Sequence, residues 1–146
     1  MSATAAPLTK GRMTRRETWR LHQFTLKANE TAFRGGLAVI KQSDAKCYAG
    51  VSGTGYVPIG LFAEDKTSTA DALVNVDLLT EKTLVWFNNA TSGDAVAATD
   101  FGKLCYFFDD HSVTITSTSR SIAGKVWAVD TNRGVLVEVG VGFAGD

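Results

Sequence analysis

The chain holds only two cysteines, Cys47 and Cys105, and two histidines, His22 and His111, among its 146 residues. Two thiols so far apart are too few for the disulfide framework of a small secreted domain, and neither sits in a C-x-x-C pair suited to zinc or redox chemistry. Both are expected as buried thiols, packed like small apolar side chains. No apolar run approaches the ~20 residues of a membrane span, and the N-terminal residues lack the apolar core of a secretory signal. The expectation is a soluble chain, made inside the cell, with no membrane contact.

The signatures of common enzymes are missing too. A serine hydrolase elbow would read G-x-S-x-G, and "GVSGTG" (50–55) only approaches it. Gly53 and Gly55 fail as a dinucleotide fingerprint, because Pro58 stands where the third glycine should be and no helical pattern follows. "FGKL" and "AGKV" lack the upstream glycine and the Ser/Thr of a phosphate loop. "DDH" (109–111) offers oxygen and nitrogen ligands, but neighbours in a hairpin point to different faces, and a metal needs further ligands from elsewhere. The pairs Glu64/Asp65 and Asp77/Glu81 have no feature that would raise a carboxyl pKa. The sequence therefore assigns no catalytic, cofactor-binding or metal-binding residue, and no cofactor.

Net charge is also absent, yet its two signs are unevenly placed. Residues 1–34 carry seven basic side chains against Glu17 and Glu30, a net +5, which leaves −5 for the rest of a neutral chain. The densest part is "TKGRMTRRETWR" (9–20), with Arg12, Arg15, Arg16 and Arg20 around Trp19. Such asymmetry suggests an arm that meets an acidic partner. Its composition also resembles a transit peptide, although Glu17 interrupts the pattern. "TRRE" (14–17) has capping-box spacing, but no apolar face follows to hold a helix. Phosphate contacts by the arginines and base stacking by Trp19 would suit a nucleic acid, whereas the acidic remainder would repel it.

Beyond residue 34 the pattern is that of strands: short alternating or apolar runs of β-branched and aromatic residues between Gly, Asp, Asn, Ser and Thr. Strands are expected at 36–41, 58–64, 73–79, 83–88, 104–109, 112–116, 124–130 and 134–141, with further candidates at 24–28 and 46–49. "FDDHSV" and "VDTNRGVL" read as hairpin turns, the second with Asn132 and Gly134 available for positive φ. "AVAATDFG" (95–102) reads as a single helical turn, capped by Thr99 or Asp100 and stopped at Gly102. Trp86, Trp127, Phe62, Phe87, Phe107 and Phe108 are expected in the core or a subunit interface. A faint internal likeness links "IGLFAEDKTSTADALVNVDLL" with "AGKVWAVDTNRGVLVEVGV", as two related hairpins would. The fold class that follows is all-β: a small β-barrel or jelly-roll-like sandwich spanning 22–146 as a single domain, with an extended basic arm over 1–21.

Several of these strand and turn strings together resemble a family. Gly35, Gly36 and Leu37; Gly60, Phe62, Ala63, Glu64 and Asp65; Gly102, Leu104, Cys105 and Tyr106; and the run from Arg120 through Asp130 with "GVLVE" after it are similar to tailed-bacteriophage capsid decoration proteins, also called cement or head-stabilising proteins. The resemblance covers residues 32–139 and consists of structural positions, with no active-site motif. It implies a non-enzymatic virion protein on the outer capsid surface, made in the bacterial host cytoplasm, which bridges major capsid proteins as a homo-oligomer, a trimer or a dimer. Arg12, Arg15, Arg16, Trp19 and Arg20 are then the candidate capsid-docking arm. The alternatives are a nucleic-acid-binding β-barrel using the same arm, a tail or head-fibre base domain, and, more remotely, a small β-barrel enzyme.

Overall fold

The computed structural model describes residues 21–78 and 83–139. Twelve strands account for most of them: β1 (Leu21–Leu26), β2 (Thr31–Ala32), β3 (Leu37–Lys41), β4 (Lys46–Ala49), β5 (Tyr56–Phe62), β6 (Lys66–Thr67), β7 (Ala72–Leu78), β8 (Thr83–Asn89), β9 (Leu104–Phe107), β10 (Ser112–Thr114), β11 (Ser121–Asp130) and β12 (Gly134–Val139). Each of the ten expected strands has its counterpart, with ends displaced by a few residues. Leu21, assigned by the sequence to the arm, opens β1 and pairs with Asp77. β2 and β6 form a separate ribbon too short for any periodicity to announce. The helical turn expected within 95–102 is the 3-10 turn Ala98–Asp100, held by Asp100 Oδ2 accepting from the Ala97 N–H at 2.8 Å; a second 3-10 turn, Ser92–Asp94, precedes that stretch.

The strands close into two five-stranded barrels, one after the other along the chain. β1, β3, β4, β5 and β7 make the first; β8, β9, β10, β11 and β12 make the second. Their wiring is identical. In each, the first strand pairs in parallel with the third and antiparallel with the fifth; the second pairs antiparallel with the third and fourth, and the fourth with the fifth. Closure leaves neither barrel an open strand edge, the usual site of unwanted pairing.

The likeness extends to detail. On β5, Ile59 bulges out of register, because Ala38 opposes Gly60 and Val39 opposes Pro58. On β11, Ala123 does the same, between Gly124 opposite Cys105 and Ile122 opposite Tyr106. The glycine after each bulge lies hard against the next strand. A Cβ on Gly60 would sit 2.1 Å from the Asp77 carbonyl oxygen, and one on Gly124 2.0 Å from that of Glu138. A bulge sharpens strand bend and twist, which a small barrel needs at its corners, and only glycine lets the backbones approach this closely. The faint repeat in the sequence falls on these strands, β5–β7 and β11–β12.

Alternation fills the barrels and also joins them. Ala38 and Ile40 of β3 join the first core, with Leu26, Cys47, Phe62, Val74 and Val76. Leu37 and Val39 of the same strand face the other way, into the second cluster, with Phe87, Cys105, Phe107, Val126, Val135 and Val137. Both are fully buried. Burying a Leu or Val side chain contributes about 1.5–3 kcal/mol each, so β3 stabilises both barrels at once. Residues 21–78 and 83–139 are therefore two barrels sharing apolar contacts, within one body.

Candidate functional site

The turn between β9 and β10 carries Asp109, Asp110 and His111, whose ligand-type atoms lie within 4.8 Å of one another. Simple hairpin alternation would have splayed them apart. Instead Asp109 Oδ1 accepts from the His111 N–H at 2.8 Å, and this local turn swings the imidazole back over its neighbours. His111 Nδ1 lies 2.8 Å from Asp110 Oδ1 and 3.3 Å from Asp109 Oδ1. The hydrogen bond to Asp110, aided by both negative charges, raises the imidazole pKa above its ordinary value.

The position of this turn explains the arrangement. The Leu37 N–H donates to the Asp110 carbonyl at 2.6 Å, and the Asn88 N–H donates to that of His111 at 2.8 Å. Gly36 and Gly50 leave room for it: a Cβ there would meet Asp110 Oδ2 at 2.9 Å and the Asp109 carbonyl oxygen at 2.8 Å. The turn is a peg from the second barrel seated on the backbone of the first. Ser121 adds a second tie, its Oγ donating to the Gly53 carbonyl at 2.7 Å and accepting from the Tyr56 N–H at 3.1 Å. Among the described residues no fourth His, Cys, Asp or Glu completes the triad. The solvated turn expected from the sequence is partly an inter-barrel joint, with His111 exposed and Asp110 half-buried.

The other chemical candidates also have structural duties. Glu64 Oε1 accepts from the Asn75 N–H at 3.0 Å, and Asp65 Oδ1 accepts from the Arg34 N–H at 2.8 Å, so each neighbour holds a different segment of backbone. Asp77 lies on β7, and Glu81 lies outside the described residues. Burial pushes the thiols of Cys47 and Cys105 up to about 12, so neither is a thiolate nucleophile near neutrality.

Arg12, Arg15, Arg16, Trp19 and Arg20 lie outside the described residues. The described residues expose large apolar side chains on both barrels: Leu21, Phe33, Val51 and Leu73 in 21–78, and Leu84, Phe101 and Trp127 in 83–139. Phe101 is 63% exposed and meets Trp127, 39% exposed, edge to face at 5.7 Å; Leu84 on β8 is 42% exposed. Trp86 lies beneath the Arg133 guanidinium, 4.4 Å from its ring centre, and Asp130 holds that arginine at 3.3 Å. Of the aromatics expected in the core or a subunit interface, Phe62, Phe87 and Phe107 are core residues, Trp86 and Phe108 are half-buried, and Trp127 faces solvent beside a register shift between Val126 and Ala128. Sequence reasoning passed over Phe101, because it sat in an apparent helical turn with no alternation to mark its direction. No family model matches the chain, and no curated protein or solved structure does so either.

Proposed function

We propose that this chain is a non-enzymatic virion structural protein, a decoration or cement subunit that binds the outer surface of a bacteriophage capsid and bridges neighbouring major capsid proteins. The observation that carries the reading is the duplication of one barrel in two units that share buried apolar contacts. Two like barrels joined side by side suit a lattice in which like subunits recur. Contacts through β3 and the Asp109–His111 peg tie the two together. Exposed Phe101, Trp127 and Leu84 supply apolar contact area. The basic segment supplies arginines for partner carboxylates. Weak contacts repeated over many lattice sites, and multiplied by a trimeric or dimeric assembly, give high avidity. The protonated thiols and the carboxylates committed to backbone bonds agree with a structural role.

The test compares heads stripped of this protein with heads to which it has been added back. Added protein should raise the temperature at which the shells rupture. The full chain with Arg12, Arg15, Arg16 and Arg20 all changed to alanine should fold but leave the shell at lower salt. Equal rupture temperatures for stripped and complete heads would refute cementing. Salt-sensitive retention on DNA, lost in the same variant, would move the reading to a nucleic-acid-binding barrel.

A further inference from the structure

We infer that a cleft on the second barrel is a docking pocket for an acidic side chain of a partner protein, with Arg120 as its anchor. The cleft has a volume of about 300 Å³ and is lined by Asn89, Thr91, Asp94, Phe108 and Thr114 together with Arg120. The Arg120 guanidinium lies over the Phe108 ring, 6.0 Å from its centre. Its Nε is buried and has no hydrogen-bond partner. Among the described residues its side chain makes one hydrogen bond, a long one from Nη1 to the Thr118 carbonyl at 3.4 Å. Among the described residues no carboxylate pairs with it. An arginine carries five N–H donors in a planar fork, and a buried donor left unpaired is costly, so this group is arranged for an acceptor that arrives from outside. A small outward turn of the side chain, opposed by the long Nη1 contact to Thr118, would present Nε–H and one Nη–H together to a carboxylate, which fits that fork.

The fold itself does not require an arginine here. Counting back four residues from the paired glycines, Arg120 before Gly124 matches Tyr56 before Gly60, and the first barrel closes with a tyrosine at that place. Most neighbouring polar groups are already committed. Asn89 exchanges two bonds with the Val96 backbone, and Thr114 Oγ1 donates to the Asp94 carbonyl at 2.7 Å. Asp94 is fixed by Thr116 Oγ1 donating to its Oδ1 at 2.6 Å, which leaves Oδ2 able to accept a further N–H. One cation and one anion at the cleft favour a singly charged carboxylate with an amide N–H beside it over a dianion, which Asp94 would repel. A partner aspartate or glutamate on its backbone has that chemistry. The inference does not rest on the capsid reading, because it needs only an exposed acidic side chain.

The test is a titration of the isotope-labelled full chain at pH 8, following the Arg120 Nε–H resonance. The probes are N-acetyl-glutamate N-methylamide and inorganic phosphate, at constant ionic strength. The glutamate probe should give a saturating shift, with a midpoint at least about fivefold below that of phosphate, the scale of one exposed like-charge contact. Arg120→Lys keeps the charge but loses the fork, and should abolish saturation at the Thr91 and Phe108 amides while the rest of the spectrum holds. Asp94→Asn should narrow the gap between the two probes. No saturating shift with the glutamate probe, phosphate binding as tightly in the unaltered chain, or an unchanged midpoint in Arg120→Lys would overturn the assignment.

Discussion

The substitution Gly124→Ala probes the feature on which barrel closure depends. The new Cβ would lie 2.0 Å from the Glu138 carbonyl oxygen and 2.9 Å from its carbon, where ordinary contact begins near 3.4 Å. Relief requires β11 and β12 to part by more than an ångström at the bulge. Overpacking of this kind costs about 1–3 kcal/mol, and each ladder hydrogen bond stretched or lost adds about 1 kcal/mol. The reduced freedom of the unfolded chain returns about 0.4–1 kcal/mol. A net loss of about 2–3 kcal/mol corresponds to roughly 6–12 °C in Tm for a domain of this size. Gly60→Ala meets the Asp77 carbonyl oxygen at 2.1 Å and should cost about as much. Gly93→Ala, where a Cβ meets nothing within 4 Å, is the control and should stay within about 0.5 kcal/mol of the parent. Thermal unfolding followed by far-ultraviolet circular dichroism measures all three. If Gly60→Ala and Gly124→Ala melt within two or three degrees of the parent, the close approach is not what shapes the barrels.

Other expectations follow from the joint and the cores. Leu37→Ala should lower stability by about 2–5 kcal/mol and loosen amide protection in both barrels, as hydrogen exchange would reveal, because Leu37 belongs to the first barrel and packs in the second. A loss of protection limited to residues 21–78 would contradict that. His111 gives a pH dependence whose sign is fixed: its folded pKa is raised, so its stabilisation is complete below the unfolded value and fades as pH rises through the folded one. Denaturant titrations should thus show His111→Gln losing more stability, relative to the parent, at pH 5.5 than at pH 9; the opposite order would refute the link to Asp110. Both thiols should resist an aromatic disulfide reagent in the native state and react fully in denaturant, and fast native reaction of either Cys47 or Cys105 would conflict with their burial.

Local signals carried the strand assignments, because alternation and β-branched content act over a few residues. "LVNVDLL" and "GVLVEV" could hardly be anything else. Turn chemistry was nearly as legible: Asp130 Oδ1 accepts from the N–H groups of Asn132 and Arg133, and Gly134 takes φ +97°, although Asn132 needs no positive φ. The candidate site was far less so. Arg120 in the sequence is one charge in a serine and threonine stretch, and nothing local says that its Nε will be buried without a partner.

The sequence by itself determined an all-β chain, the turn positions, the unreactive placing of two thiols and the segregation of positive charge before residue 34. Each depends on neighbours in the chain. Only the tertiary structure decided that there are two barrels of one topology, that Leu37 and Val39 leave their own barrel to complete the other, and that Asp109–His111 is a peg between them. Those outcomes depend on register and closure, which bring together backbones far apart in sequence. Gly124 reads as one more turn glycine until the Glu138 carbonyl is found lying against it.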